Sequence, residues 1–196
     1  MNPNHKIIAI TGGIGAGKSV VSRILEAAGH SVYDCDSRAK QLMNTSSSIK
    51  HALTSKFGSG IYSNGTLDRQ LLSDIIFNDN KALAFVNSVV HPAVRDDIMQ
   101  WAQQQEHSLV FIETAILNEG GLDTMINEVW NVVAPVETRI SRVMKRNSIS
   151  REKVMERIAQ QQDRPQGDNL IIIDIINDNT TPLLPQLINA LEQSKT

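Results

Sequence analysis

The chain has 196 residues with 19 basic and 21 acidic side chains, a formal net charge of −2, so it lacks the basic excess of a nucleic-acid-binding surface. The length suffices to bury a sizeable core; no apolar run approaches membrane-spanning length, and Met1 to His5 lack the apolar core of a signal peptide. A single cysteine, Cys35, excludes an intrachain disulfide. The expectation is a cytoplasmic, monomeric protein without nucleic-acid or membrane partners.

Lys6-Ile7-Ile8-Ala9-Ile10 is a short apolar run suited to a buried parallel strand. Gly12-Gly13-Ile14-Gly15-Ala16-Gly17-Lys18-Ser19 follows and matches the phosphate-binding pattern G-x-x-x-x-G-K-S/T. Glycines let successive N–H groups turn inward around phosphate oxygens, and a helix starting near Gly17 aims its positive end at the same anion. Val20, Val21, Ile24, Leu25 and Ala28 then recur at helical spacing on one face, and Gly29 supplies the stop. Gly13, Ile14, Gly15, Ala16, Gly17, Lys18, Ser19 and Val20 are therefore expected to hold a nucleoside triphosphate. Lys18 is expected on the β- and γ-phosphates and the Ser19 hydroxyl on Mg²⁺.

A second strand, Ser31 to Tyr33, is closed by Asp34-Cys35-Asp36. If the chain stays extended, carboxylates two residues apart point the same way, about 6.6 Å apart, at a strand end where such sheets bind ligands. One could take the proton of an attacking hydroxyl and the other hold Mg²⁺-bound water; alternatively, Asp34 caps a helix and Asp36 is solvated. Cys35 between them reads as a small buried hydrophobe. Helical patterns fill most of residues 37–105, broken at Thr45 to Ser48, Gly58 to Gly65 and Asn78 to Asn80. Pro92 suits the first position of a helix carrying Val94, Ile98 and Trp101 on one face.

Further strands are predicted at Leu109 to Ile112, Val129 to Ala134 and Leu170 to Ile176, the last with an Asp174 that needs a partner or solvent. Helices are predicted from Val136 to about Asn147, from Arg151 to Gln162, and from about Pro182 onward. Arg142 and Arg146 lie one helical turn apart and can face one target; with Arg139 and Lys145 they could equally form a solvated basic face. Alternating βα units imply an α/β fold, a parallel sheet with helices on both faces, into which the long helical stretch is inserted.

The combination resembles the dephospho-coenzyme A kinase family. Thr11 to Ser19 followed by Val32-Tyr33-Asp34-Cys35-Asp36 is similar to its T-G-G-I-G-S/A-G-K-S/T and V-x-D-x-D segments. Gly65-Thr66-Leu67-Asp68-Arg69, Phe77, Val90-His91-Pro92-Ala93-Val94-Arg95 and Glu113 to Glu119 resemble further landmarks in order, as do Arg142 to Asn147, Arg157 to Gln161 and Asn177-Asp178-Asn179. The resemblance implies a three-layer phosphate-loop kinase fold with a five-stranded parallel sheet. It implies a core of about 1–36, 107–140 and 168–196, a helical acceptor-binding insertion of about 37–106 and a lid of about 141–167, in one kinase domain. The implied reaction is ATP- and Mg²⁺-dependent phosphorylation of the ribose 3′-hydroxyl of dephospho-coenzyme A, the last step of coenzyme A synthesis.

By the same resemblance Asp36 is the general base, Asp34 assists through metal or acceptor contacts, and Arg146 and Arg142 neutralise the transferring phosphoryl group, with Arg146 favoured. Asn177 and Asp178 would flank adenine. Leu67, Arg69, His91, Arg95 and Glu119 would line the acceptor site. Departures from the family pattern are Ala115 and Asn118 in the run ending at Glu119, Asn179 where glycine is usual, and Asp163 to Asn169. The alternatives are another small-molecule kinase of this fold, such as a shikimate or nucleotide kinase, or a non-catalytic nucleotide-binding regulator. Neither D-x-x-G nor N-K-x-D occurs, which excludes a guanine-nucleotide switch.

Overall fold

A computed structural model of the chain describes residues 5–115, 117, 121–161, 165 and 170–195. In chain order the elements are β1 (Lys6–Thr11), α1 (Lys18–Ala27), β2 (Val32–Asp34), α2 (Cys35–Thr45), α3 (Ser47–Phe57), β3 (Tyr62–Ser63), β4 (Thr66–Leu67), α4 (Arg69–Asn78) and α5 (Asn80–Gln103). They continue with β5 (Leu109–Glu113), β6 (Glu128–Val133), α6 (Val136–Asn147), α7 (Arg151–Ala159), β7 (Ile171–Ile176) and α8 (Leu183–Ser194). The chain divides into two compact units, one of residues 1–33 and 102–196, the other of residues 34–101.

The first unit is built on a five-stranded parallel sheet in the order β2-β5-β1-β6-β7. Its central strand β1 is buried from Ile7 to Thr11, which is why the strand reads as a continuous apolar run rather than an alternation. Ile8, Ile10, Phe111, Trp130 and Val132 pack with Val21 and Leu25 of α1 and Leu187 and Ala190 of α8. Phe111 and Trp130 meet edge to face at 5.1 Å, a contact that adds about 1 kcal/mol to their burial. One polar cluster interrupts this core. Glu128, 1% exposed, accepts from Trp130 Nε1 (2.7 Å) and Ser194 Oγ (2.6 Å) and pairs with Lys6 Nζ (3.1 Å). A smaller apolar cluster joins α6 and α7 through Ile140, Val143 and Val154, with Ile14, Ile149 and Ile158 packed against it.

The second unit is mostly helical. Asp34, Ser46 and Asp68 cap α2, α3 and α4 by accepting from the N–H groups of Ser37 (3.1 Å), Ile49 (3.4 Å) and Leu71 (3.0 Å). Between α3 and α4 lies a two-stranded hairpin that the sequence reading leaves as a break. Asn64 (φ 49) and Gly65 (φ 78) form its turn, the Asn-Gly pairing that both-positive turns favour.

Two expectations are corrected. Pro92 starts no helix but lies inside α5. Ala82, Val86, Val90, Val94, Ile98 and Ala102 recur every fourth residue and are all buried, and this uninterrupted stripe offsets the proline's missing bond. Val20 does not share the buried face of α1: it is 41% exposed, and the core-facing residues are Val21, Ser22 and Leu25. Asp174 finds its partner in Asn131, whose Nδ2 donates to it at 2.8 Å.

Candidate active site

β1 delivers Thr11 into the glycine-rich loop, and α1 begins at Lys18 with Gly17 (φ 100) as its left-handed N-cap. A Cβ on Gly17 would strike Asn177 Nδ2, and one on Gly15 (φ 79) would lie 2.6 Å from the Arg139 carbonyl oxygen. Both positions therefore require glycine twice over, by backbone conformation and by close approach.

Side chains of α6 and of the turn after β7 hold the loop carbonyls from outside. Arg139 Nε donates to Ile14 O (3.0 Å), Arg142 Nη1 to Gly15 O (3.3 Å) and Ala16 O (3.1 Å), and Asn177 Nδ2 to Ala16 O (2.8 Å). A trans peptide is planar, so a carbonyl drawn one way sends the next residue's N–H the other way. The Ala16 N–H is turned back to Gly13 O (3.0 Å). Among the described residues the N–H groups of Gly15 and Gly17 meet no acceptor, which leaves them for an anion beside the positive end of α1. Lys18 Nζ reaches across the loop to Gly12 O at 2.8 Å, and Ser19 stands exposed in the first turn of α1.

Two residues beside the loop were not singled out as site residues from the sequence. Register pairs Glu113 with Ile10, so the carboxylate ends β5 beside the end of β1, where Oε2 accepts from Ser22 Oγ of α1 at 2.7 Å. A lone acid closing an apolar strand was the available signal. Arg139 is the other. Together with Arg142 it overturns the reading of a solvated basic face, since Arg139 is only 9% exposed; its position four residues before the buried Val143 puts both on one side of α6. Lys145 and Arg146 are exposed, as that reading expects, with Arg146 Nε donating to Asn147 Oδ1 at 2.8 Å.

The turn after β7 is tied to the loop by Arg142, whose Nη2 donates to Asn177 O (3.0 Å), Asn177 Oδ1 (3.2 Å) and Asn179 Oδ1. Asn179 accommodates φ 74 where glycine is usual in the resembled family. Asp178 accepts from the N–H groups of Thr181 (2.7 Å) and Thr180 (2.8 Å), which hold its carboxyl well below the usual carboxylate range.

In the second unit the premise for the aspartate pair changes. β2 ends at Asp34 and Cys35 already begins α2, so Asp34 and Asp36 are not alternate residues of one strand. The Asp34 carboxylate is committed to the start of α2, accepting from Ser37 N (3.1 Å) and Ser37 Oγ (2.6 Å), whereas Asp36 is exposed in the first helical turn. Cys35 is buried, as expected. His91 and Arg95 lie one turn apart on α5, both half-buried; Arg69 is exposed at the start of α4; Leu67 is 5% exposed and serves the unit's core. Glu119 lies outside the described residues.

The family model for dephospho-CoA kinase matches residues 6–183. The chain belongs to the dephospho-CoA kinase family. A dephospho-CoA kinase of Porphyromonas gingivalis is 41% identical over 191 residues, covering 96% of this chain and 94% of its own length. One from Bacteroides fragilis is 35% identical over 94% of this chain and 90% of its own. A crystal structure of a Thermus thermophilus protein superposes with a TM-score of 0.79 at 32% identity, covering 97% of this chain and 96% of that one. The family match does not favour a shikimate kinase or a non-catalytic regulator.

Dephospho-CoA kinases of this fold are expected to use magnesium. Among the described residues no group of three or more His, Cys, Asp or Glu side chains could cage a metal. The first unit instead offers hard oxygen donors, the Ser19 hydroxyl and the Glu113 carboxylate, which suit an ion that keeps water and phosphate as its other ligands. Among the described residues no helix is long and apolar enough to cross a membrane.

Proposed function

We propose that the chain transfers the γ-phosphate of ATP to the ribose 3′-hydroxyl of dephospho-coenzyme A, giving coenzyme A and ADP. The observation that carries this reading is the loop whose Ile14 and Ala16 carbonyls are held by side chains, which leaves the Gly15 and Gly17 N–H groups, Lys18 and the start of α1 for one anion, in a chain of this family. Gly13 to Val20 bind the triphosphate, and Lys18 takes the terminal phosphates. Asn177 and Asp178 shape the adenine end, with the Asp178 carboxylate kept for its own turn. Ser19 and Glu113 are the residues that would hold magnesium, in place of the cap residue Asp34, and the ion would supply positive charge to offset that of the terminal phosphates.

Asp36 takes the proton of the 3′-hydroxyl as its oxygen bonds to the γ-phosphorus and the bond to the ADP oxygen breaks. Its exposure directly after a strand of the sheet supports this role, since such sheets bind ligands beyond the carboxyl ends of their strands. Asp34 assists by fixing the start of α2. Arg146 contacts the phosphoryl group in the transition state, which its exposure supports, while Arg142 acts through the loop. Residues 37–106 form the acceptor lobe, in which His91, Arg95 and Arg69 bind dephospho-coenzyme A, and residues 141–167, of which 162–164 and 166–167 lie outside the described residues, serve as a lid.

The test is incubation with ATP, Mg²⁺ and dephospho-coenzyme A, with shikimate and adenosine as parallel acceptors and products read by mass. Rapid formation of coenzyme A alone is expected. ATP binding without that product would overturn the acceptor assignment.

A further inference from the structure

Both backbone polar groups of Ile14 are held by side chains that have no role of their own in the proposed reaction. Its N–H donates to Gln161 Oε1 at 2.6 Å, just beyond α7, and its carbonyl accepts from Arg139 Nε at 3.0 Å. The Ile14 side chain is packed against the apolar cluster of α6 and α7. A Cβ on Gly13 would fall on the Arg139 guanidinium, so the flat cation lies directly against the loop. None of the ion pairs among the described residues includes Arg139. Among the described residues its charge therefore stands beside the loop without a paired carboxylate, and the nearby field favours a bound anion.

Peptide planarity converts these contacts into a direction. Because Arg139 draws the Ile14 carbonyl outward, the N–H of Gly15, on the same peptide plane, points the opposite way. Gln161 holds the preceding peptide through the Ile14 N–H, so the two planes flanking Ile14 are set independently. We propose that Arg139 is a positioning residue for phosphoryl transfer, acting through the Ile14 carbonyl to aim the Gly15 N–H at the terminal phosphates, with Gln161 fixing the adjoining peptide. The inference rests on the proposed kinase reaction and adds to it a residue that touches neither substrate.

Arg139→Met keeps bulk but removes donor and charge; Arg139→Lys keeps a charge and a donor; Gln161→Met removes the acceptor. For each variant, calorimetric titration with inorganic tripolyphosphate and Mg²⁺ is set beside kcat, KM for ATP, KM for dephospho-coenzyme A and the thermal midpoint. Arg139→Met is expected to weaken tripolyphosphate binding and lower kcat, each by about tenfold, within the hundredfold that a misplacement of about 1 Å can cost. KM for dephospho-coenzyme A is expected to stay unchanged. Arg139→Lys should recover part of both losses, and Gln161→Met should shift both the same way by less. Wild-type tripolyphosphate affinity in Arg139→Met would overturn the proposal. So would Arg139→Lys failing as badly as Arg139→Met while both lose thermal midpoint and affinity for both substrates together. A wild-type protein that binds tripolyphosphate but makes no coenzyme A would refute the reaction, and the tripolyphosphate titrations would still decide the role of Arg139.

Discussion

The phosphate loop and the helical unit of residues 34–101 organise their candidate groups in opposite ways. Around the loop, side chains act indirectly: Arg139, Arg142 and Asn177 spend their hydrogen bonds on carbonyls, which leaves backbone N–H groups of Gly15 and Gly17 for the proposed anion. In the helical unit the one candidate base, Asp36, stands exposed on the first turn of a helix, and its neighbour Asp34 serves only to start that helix. On the proposed reading, binding of the triphosphate is built into a preorganised main chain, whereas chemistry on the acceptor is entrusted to single side chains. The first arrangement is hard to vary without loss of shape; the second can be changed one residue at a time.

Substitutions should separate the two. Asp36→Asn removes a proton acceptor and leaves the loop intact, so kcat is expected to fall by about a thousandfold with ATP affinity, measured by titration, retained. A parallel loss of ATP binding would break the distinction. Gly17→Ala acts on the other side. It forces a residue with φ 100 to carry a Cβ and sets that Cβ against Asn177, so ATP affinity should drop by more than about tenfold, with any acceptor binding unchanged.

Stability probes remote from both groups give the baseline. Glu128→Ala strips Trp130 Nε1, Ser194 Oγ and Lys6 of their common partner and is expected to lower unfolding free energy by about 3 kcal/mol in urea titration, without changing either KM. The smallest effect is expected at His30, whose Nδ1 is buried without a partner among the described residues. Burial, then the charges of His107 and Lys195, hold its pKa below the ordinary 6.5. Since the folded value lies below the unfolded one, protonation of His30 favours unfolding. Its full stabilisation holds above the unfolded pKa and declines as the pH falls toward the folded one. The thermal midpoint should therefore drop from about pH 7.5 to about pH 5.5, and His30→Gln should flatten that slope.

Much of the architecture was legible because local signals and tertiary packing agreed. Helix α6 was predicted from Val136 to about Asn147 and spans Val136–Asn147, its start marked by Pro135 and its inner face by Ile140 and Val143. Legibility failed where a long-range contact overruled a local rule. Pro92 reads as a helix start until the buried stripe from Ala82 to Ala102 is seen to pass through it. The Asn64-Gly65 hairpin was readable but was hidden by the shortness of its strands. At the site, the glycines and Lys18 announced the loop, since only such residues suit it. Arginine carries no comparable mark: Arg139 and Arg146 read alike on one helix, and only packing against Ile14 and Gly13 tells the buried one from the exposed one.

The sheet order has a consequence for the order of synthesis. Strand β1 is flanked by β5 and β6, which follow it by about a hundred residues, and the loop is braced by Arg139, Arg142, Gln161 and Asn177 later still. As the chain leaves the ribosome, residues 34–101 emerge as one contiguous block, while β1 must wait with both edges unpaired. The last fastening, Ser194 to Glu128, comes only with the final helix. The phosphate loop is thus among the first functional segments to be translated and among the last to be completed.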